Sequence, residues 1–430
     1  MASLLARWLY SLALWLLTPV YLARLWRRGR AEPAYRMRLG ERLGYYKLPP
    51  RRGRGGVVWL HAVSLGETIA AAPLLAALRS ELPQLRLLLT CSTATGVAAG
   101  RGLLQPEDDQ TWLPYDTPGA VRRFLERYRP AVGVIMETEV WPNVMHAARL
   151  AQVPMVLANA RLSARSERKG RRLAVLLRPA LSSFTRVLAQ TARDAQRLRE
   201  SGARAVEVCG NTKFDITPPA KLLARGHQWR EALARPVVLM AVSREGEEQI
   251  LLEAWSALAR PRPLLIIVPR HPQRFDEVAA LIERSGLSLQ RRSHWGDTPP
   301  ATAADADVWL GDTLGEMPLY YAVADVALLG GSFAPLGGQN LIEAAACGCP
   351  LVLGPHTFNF EDAALLAIEA GAAVRMNDLH HAVRRAVSLA NDPRRNDWVE
   401  AALAFAGSHR GATERMAKRI VMLLTGLDSI

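Results

Sequence analysis

The residues best suited to chemistry sit in short polar clusters that interrupt apolar runs. His61-Ala62-Val63-Ser64-Leu65-Gly66-Glu67 places a carboxylate in the first turn of an expected helix, where it reads either as a helix-start acid or as a general base for a hydroxyl nucleophile. Glu137-Thr138-Glu139-Val140-Trp141-Pro142-Asn143 packs two acids beside an indole. Pro142 suits a helix start, but a covered strand seldom ends in two carboxylates without partners. Arg161 in NARLSARS and Lys213 in GNTKFD are the candidate partners of Glu137. Such a pairing could brace developing charge or form an ion pair between domains.

The second half of the chain offers groups for an anionic ligand. Pro269-Arg270-His271-Pro272-Gln273-Arg274-Phe275 supplies two arginines, whose forked donors suit phosphate. Gly311-Asp312-Thr313-Leu314-Gly315-Glu316-Met317 has two glycines that permit close approach of a ligand to the backbone. Gly330-Gly331-Ser332 and Gly337-Gly338-Gln339-Asn340 precede an expected helix containing Leu341, Ile342 and Glu343. Amides there suit a phosphate and Glu343 suits ribose hydroxyls, so ligand binding ranks above a plain glycine turn. Asp305-Ala306-Asp307 has the spacing of a metal clamp but precedes a strand, and it reads as surface. Cys91, Cys209, Cys347 and Cys349 match no zinc or disulfide spacing, and His356 has no third ligand nearby, so no metal site is expected.

These clusters need elements to position them. Apolar runs at 57–60, 85–90, 131–136, 154–158, 186–189 and 205–209, and again at 236–242, 263–268, 308–310, 326–329 and 350–353, alternate with helical patterns. That alternation predicts an α/β protein of two Rossmann-like domains with parallel sheets covered on both faces. Nearly every strand ends in one of the polar clusters, so two such sheets facing one another would enclose a cleft suited to two substrates. Pro218 and Pro219 mark a hinge, giving an anchor at 1–30, an acceptor domain at 31–217 and a donor domain at 218–430 whose last helices are free to pack back.

Charge and the N-terminus narrow the partners. The 430 residues carry 54 Lys+Arg against 40 Asp+Glu, a net +14 that suits acidic lipid or a phosphorylated substrate. Aromatics do not interleave with the basic runs, which argues against nucleic acid. Trp8 to Ala23 is uncharged and apolar, with Arg7 before it and Arg24, Arg27, Arg28 and Arg30 after it. This predicts a membrane anchor, spanning or lying in one leaflet, with the body on the cytoplasmic side. Residues Glu32 to Lys47 read as a connector, resting on headgroups or simply solvated, and Pro49 to Gly56 as a loop rich in proline, glycine and arginine.

HAVSLGE, ETEVWPN, NARLS, GNTKFD, PRHPQRF, GDTLGEMP and GGQNLIEAA together resemble, in order and spacing, the 3-deoxy-D-manno-octulosonic acid (Kdo) transferases that act on lipid A precursors. The resemblance runs from the anchor to the final helices. It implies an inverting, metal-independent enzyme of the glycosyltransferase-B fold, with Glu67 as catalytic base and Glu137 and Lys213 as transition-state stabilisers. It also implies that CMP is bound by Pro269, Arg270, Leu314, Gly315, Glu316, Asn340, Leu341, Ile342 and Glu343. Gln339 stands where family members commonly carry histidine. The partners implied are CMP-Kdo, as donor substrate with no cofactor, the lipid A precursor lipid IVA, and the anionic inner leaflet of the cell inner membrane. Two rival readings are a UDP-using glycosyltransferase-B enzyme or epimerase and a non-catalytic membrane adaptor that binds nucleotide or lipid.

Overall fold

Strands with no polar interruption can be buried on both faces, and here they form two wholly parallel sheets. The computed structural model describes residues 1–30, 32–47 and 56–426, so the 49–56 loop lies outside the described residues except for its last glycine. The chain divides into two units, Met1–Asp215 with Arg410–Ile430, and Ile216–His409.

The first unit contains β1 (Val57–His61), β2 (Arg86–Cys91), β3 (Asp109–Trp112), β4 (Val132–Met136), β5 (Met155–Ala160), β6 (Arg186–Ala189) and β7 (Val206–Val208). Their spatial order is β3-β2-β1-β4-β5-β6-β7. Side chains alternate between two cores, as the strand period demands. Val58 and Leu60 join Val134 and Ile420 on one face, while Trp59 and Ile135 join Phe124 and Val144 on the other.

The second unit contains β8 (Val237–Ser243), β9 (Leu264–Pro269), β10 (Leu289–Arg291), β11 (Val308–Leu310), β12 (Val326–Leu329), β13 (Leu351–Leu353) and β14 (Ala373–Arg375). The order is β10-β11-β9-β8-β12-β13-β14. Each winding therefore reverses once, between β1 and β4 in the first sheet and between β8 and β12 in the second. Loops leaving the strands at such a reversal diverge and open a crevice at the carboxyl ends.

Three strands were not anticipated from the sequence: β3, β10 and β14. All three are sheet edges. An edge strand is covered less completely than a central one, so DQTW, LQR and AVR lack the apolar continuity that marks the others.

The last helix, Ala412–Thr425, sends Met416 and Ile420 into the first unit's core. Asp215 holds it there, accepting hydrogen bonds from the Gly411 and Thr413 amides at 2.6 Å each and from the Thr413 hydroxyl. GNTKFD thus ends in a residue whose task is to bind a helix distant in sequence.

Residues Ala2–Arg28 form one helix, long and apolar enough to cross a membrane. At ~1.5 Å per residue its length is about 40 Å, longer than the uncharged run alone would give. Within the first unit it meets the body through polar contacts, Tyr10 donating to Asp116 (3.0 Å), Ser11 to Asn143 (3.2 Å) and Arg7 to Asn143 (3.3 Å), and through the Tyr21 ring against Tyr115.

The segment after it is not a solvated connector. Tyr35 and Arg42 are buried, Glu41 accepts from the Thr111 hydroxyl (2.7 Å), and the Trp112 indole donates to the Met37 carbonyl (3.1 Å). The segment covers the edge strand β3, which explains its aromatic residues: Tyr35 stacks on Trp112, and the Arg42 guanidinium lies 4.0 Å from the same ring centroid.

Candidate active site

In the first unit the two acidic clusters leave β1 and β4, the strands that flank the reversal. Glu67 lies in the first turn of the helix Leu65–Glu81, and its carboxylate accepts the Val63 amide at 2.7 Å. Burial pushes its pKa up to about 7 against the opposing effect of that amide. Glu137 and Glu139 add to the rise and Lys213 opposes it, so all four groups share one electrostatic neighbourhood. A carboxyl poised near neutrality suits proton transfer at physiological pH.

Glu137 adopts φ of +59°, a left-handed conformation that a non-glycine residue seldom takes without a constraint. Its amide donates to the Ala158 carbonyl (2.9 Å), and its carboxylate accepts from the Lys213 ammonium at 3.1 Å. Both partners are mostly buried and both lie in the first unit, so this pair is not an ion pair between domains. Lys213 is aimed by its surroundings: the Thr212 amide donates to the Asn159 side chain (3.1 Å) and the Lys213 amide to that of Asn211 (3.0 Å). The neighbouring Glu139 carboxyl is also raised, by burial and then by Glu137.

The second unit carries cations and turns. The Arg270 amide donates to the Ser243 carbonyl (3.0 Å), joining the loops after β8 and β9. Arg244 and Arg270 have no hydrogen-bond or ion-pair partner for their guanidinium groups among the described residues. Arg274 is taken up structurally, paired with Glu248 at 2.7 Å and Glu277 at 2.8 Å. His271 has a lowered pKa, through burial and then the charges of Arg244, Arg270 and Arg274.

Glu247, the first residue of the helix Glu247–Ser256 that follows β8, accepts the amides of Arg244 (2.9 Å), Gly331 (2.8 Å), Phe333 (3.3 Å) and Ala334 (3.2 Å), and so fixes the glycine-rich turn after β12. Gly331, Gly337 and Gly338 all have positive φ there. The Gln339 amide nitrogen lies 3.3 Å and the Arg244 side chain 3.5 Å from where a Cβ on Gly331 would be.

The remaining expected residues present backbone more than side chain. Glu316 accepts from Arg225 (2.6 Å) and Arg292 (2.9 Å), so its carboxylate braces the turn. Gly315 has φ +81° with open space where a Cβ would stand, and Leu314 is exposed. Leu341 and Ile342 are buried, Asn340 caps their helix by accepting the Ile342 amide (3.2 Å), and burial raises the pKa of Glu343. Pro269 closes β9. Asp307, of the discounted clamp, accepts from the Ser288 amide and hydroxyl and pairs with Arg260 and Arg262.

A family model described as 3-deoxy-D-manno-octulosonic-acid transferase (kdotransferase) matches residues 37–216. The 3-deoxy-D-manno-octulosonic acid transferase of Bordetella pertussis is 50% identical over 435 residues, covering 95% of this chain and 97% of its own. This chain belongs to the Kdo transferase family. The transferase of Haemophilus influenzae is 33% identical, with 95% and 97% covered. A glycosyltransferase of Rickettsia africae, 12% identical, shares the fold with a TM-score of 0.59 over 86% of this chain and 99% of its own.

For a Kdo transferase the structure brings Glu67, Glu137 and Lys213 together in one unit, and in the other Arg270 with Arg244, which lies beside the Gly331 turn. Arg244 and Glu247 were not singled out from the sequence. The signal available was position alone: SREGEE follows β8, a strand that flanks the reversal, but strand order is not written in the sequence.

Proposed function

We propose that this protein transfers Kdo from CMP-Kdo to the lipid A precursor lipid IVA by a single inverting displacement. The observation that carries the reading is the half-buried cluster in which Glu67, raised to about 7, neighbours the Glu137–Lys213 pair at the reversal of the first sheet. Glu67 takes the proton of the attacking acceptor hydroxyl. Lys213, held by Glu137, balances negative charge as the bond to phosphate breaks. Arg270 and Arg244 receive the phosphate of the departing CMP, and the turns at Gly315 and at Asn340 to Glu343 hold the nucleoside. A nucleoside monophosphate leaves with less charge than a diphosphate, so two arginines suffice and neither a divalent metal nor a cofactor is required. The N-terminal helix tethers the body to the cytoplasmic face of the inner membrane, with Arg24, Arg27, Arg28 and Arg30 on the anionic side. Incubation of the full-length protein with CMP-Kdo and lipid IVA, followed by mass spectrometry of the lipid, tests this. A mass gain of one or more Kdo units is expected; an unchanged lipid, or tighter binding of UMP than CMP, would overturn it.

A further inference from the structure

A pocket of about 240 Å³ lies within the first unit between the N-terminal helix and the loops at the carboxyl ends of the sheet. Leu14, Leu17 and Tyr21 form its helix wall, and Leu113, Tyr115 and Trp141 its body wall. Tyr21 and Tyr115 meet edge to face at 4.5 Å.

The helix wall belongs to an element whose other faces expose Trp8, Leu12 and Trp15, an area only lipid would cover in a tethered protein. The body wall runs into the active site. Trp141 follows Glu139 by two residues, and Ser92, also lining the pocket, donates its amide to the Val63 carbonyl (3.1 Å) while the Val63 amide donates to Glu67. Arg42 lines the same space. It is buried, its Nε has no partner among the described residues, and it places a cation beside a mostly apolar chamber whose other polar lining is Thr18, Ser92 and Asp116, the last already taken up by Tyr10 and the Asn143 and Val144 amides.

We infer that this pocket takes one fatty-acyl chain of the acceptor lipid, with the chain along the N-terminal helix and the anionic headgroup end toward Arg42 and the Glu67 loops. The inference rests on the transfer reading above and adds to it a subsite for the acceptor's tail. An apolar chamber bounded by a membrane helix on one side and by the catalytic loops on the other suits an acceptor that stays in its leaflet during reaction. The cation suits the phosphate that such an acceptor carries.

Two variants of the full-length protein in phospholipid vesicles test it. Leu17→Trp fills the pocket, and Leu12→Trp makes the same exchange on an exposed face of the helix. Leu17→Trp is expected to raise KM for the acylated acceptor about tenfold, leaving KM for CMP-Kdo and turnover of the deacylated disaccharide unchanged. Leu12→Trp should match the unaltered protein. Equal effects of the two variants, or equal losses on acylated and deacylated acceptors, would overturn the inference. A second arm needs no sugar transfer: phosphatidylglycerol with a diazirine at its acyl tip is photolysed with the protein in vesicles. Label at Leu113 to Asp116, lost in Leu17→Trp and competed by excess lipid IVA, supports the pocket even in a preparation that transfers nothing. Label confined to the helix, or label that lipid IVA does not displace, refutes it.

Discussion

At the reversal between β1 and β4 the loops carry Glu67, Glu137 and Glu139, with Lys213 set against them. At the reversal between β8 and β12 they carry Arg244 and a glycine-rich turn, with Arg270 one strand away. The two sheets have the same number of strands and the same single reversal. Their crevices differ in charge because the loops differ, not because the scaffolds do. Burial, and then the neighbouring carboxylates, raise Glu67 and Glu139, which suits a proton acceptor. Guanidinium groups without a partner among the described residues, beside a glycine turn held by Glu247, suit an anion. Even a shared ingredient is used differently: Glu67 takes a single amide and remains a candidate base, whereas Glu247 takes four amides, those of Arg244, Gly331, Phe333 and Ala334, and acts as a fixed strut.

The sharpest way to break this contrast is Glu67→Gln. Loss of a general base typically costs ~10²–10⁴-fold in rate, so transfer should fall into that range while CMP binding, measured by calorimetry, is unchanged. A loss of CMP affinity would mean that the acidic crevice serves the donor. Lys213→Ala should lower kcat by about 10²-fold with little change in donor KM; a change in KM alone would make the Glu137–Lys213 pair a binding element. Arg270→Ala and Arg244→Ala should each weaken CMP about tenfold or more, since a charge-assisted hydrogen bond contributes ~1.5–3 kcal/mol. Chelation by EDTA should leave the rate unaltered.

The pH dependence sharpens the same contrast. With Glu67 raised to about 7, kcat/KM should climb as pH rises towards 7 and level off above it, and Glu67→Gln should abolish that limb. The stability effect has its own sign. The folded carboxyl holds its proton more tightly than the unfolded one, whose value is near 4.5, so its contribution is full below that pH and is lost as pH rises through 7. Glu67→Gln should therefore melt higher than the native protein at pH 8 and not at pH 5. The smallest expected effect is Asp215→Asn, which weakens the hold on the last helix and should lower Tm by a few degrees, about 1–3 kcal/mol, without altering CMP binding.

The central strands and the polar clusters at their ends were legible in the sequence, because strands covered on both faces must be continuously apolar and because such clusters have few structural excuses. The strand order was not legible. It emerges only from which helices pack on which face, and without it SREGEE looked no more special than its neighbours. The Glu32–Lys47 segment was misread for a related reason: Tyr35 and Arg42 look solvated until Trp112, some seventy residues on, supplies the surface they cover. That Lys213 reaches Glu137 was likewise open, since it depends on the turn that Asn159 and Asn211 impose.

The return of residues 410–425 to the first unit bears on biosynthesis. A ribosome delivers β1 to β7 and the N-terminal helix first, yet the core they form lacks Met416 and Ile420 until the whole second unit has been made. A premature stop near codon 410 would therefore cripple the first unit rather than the second.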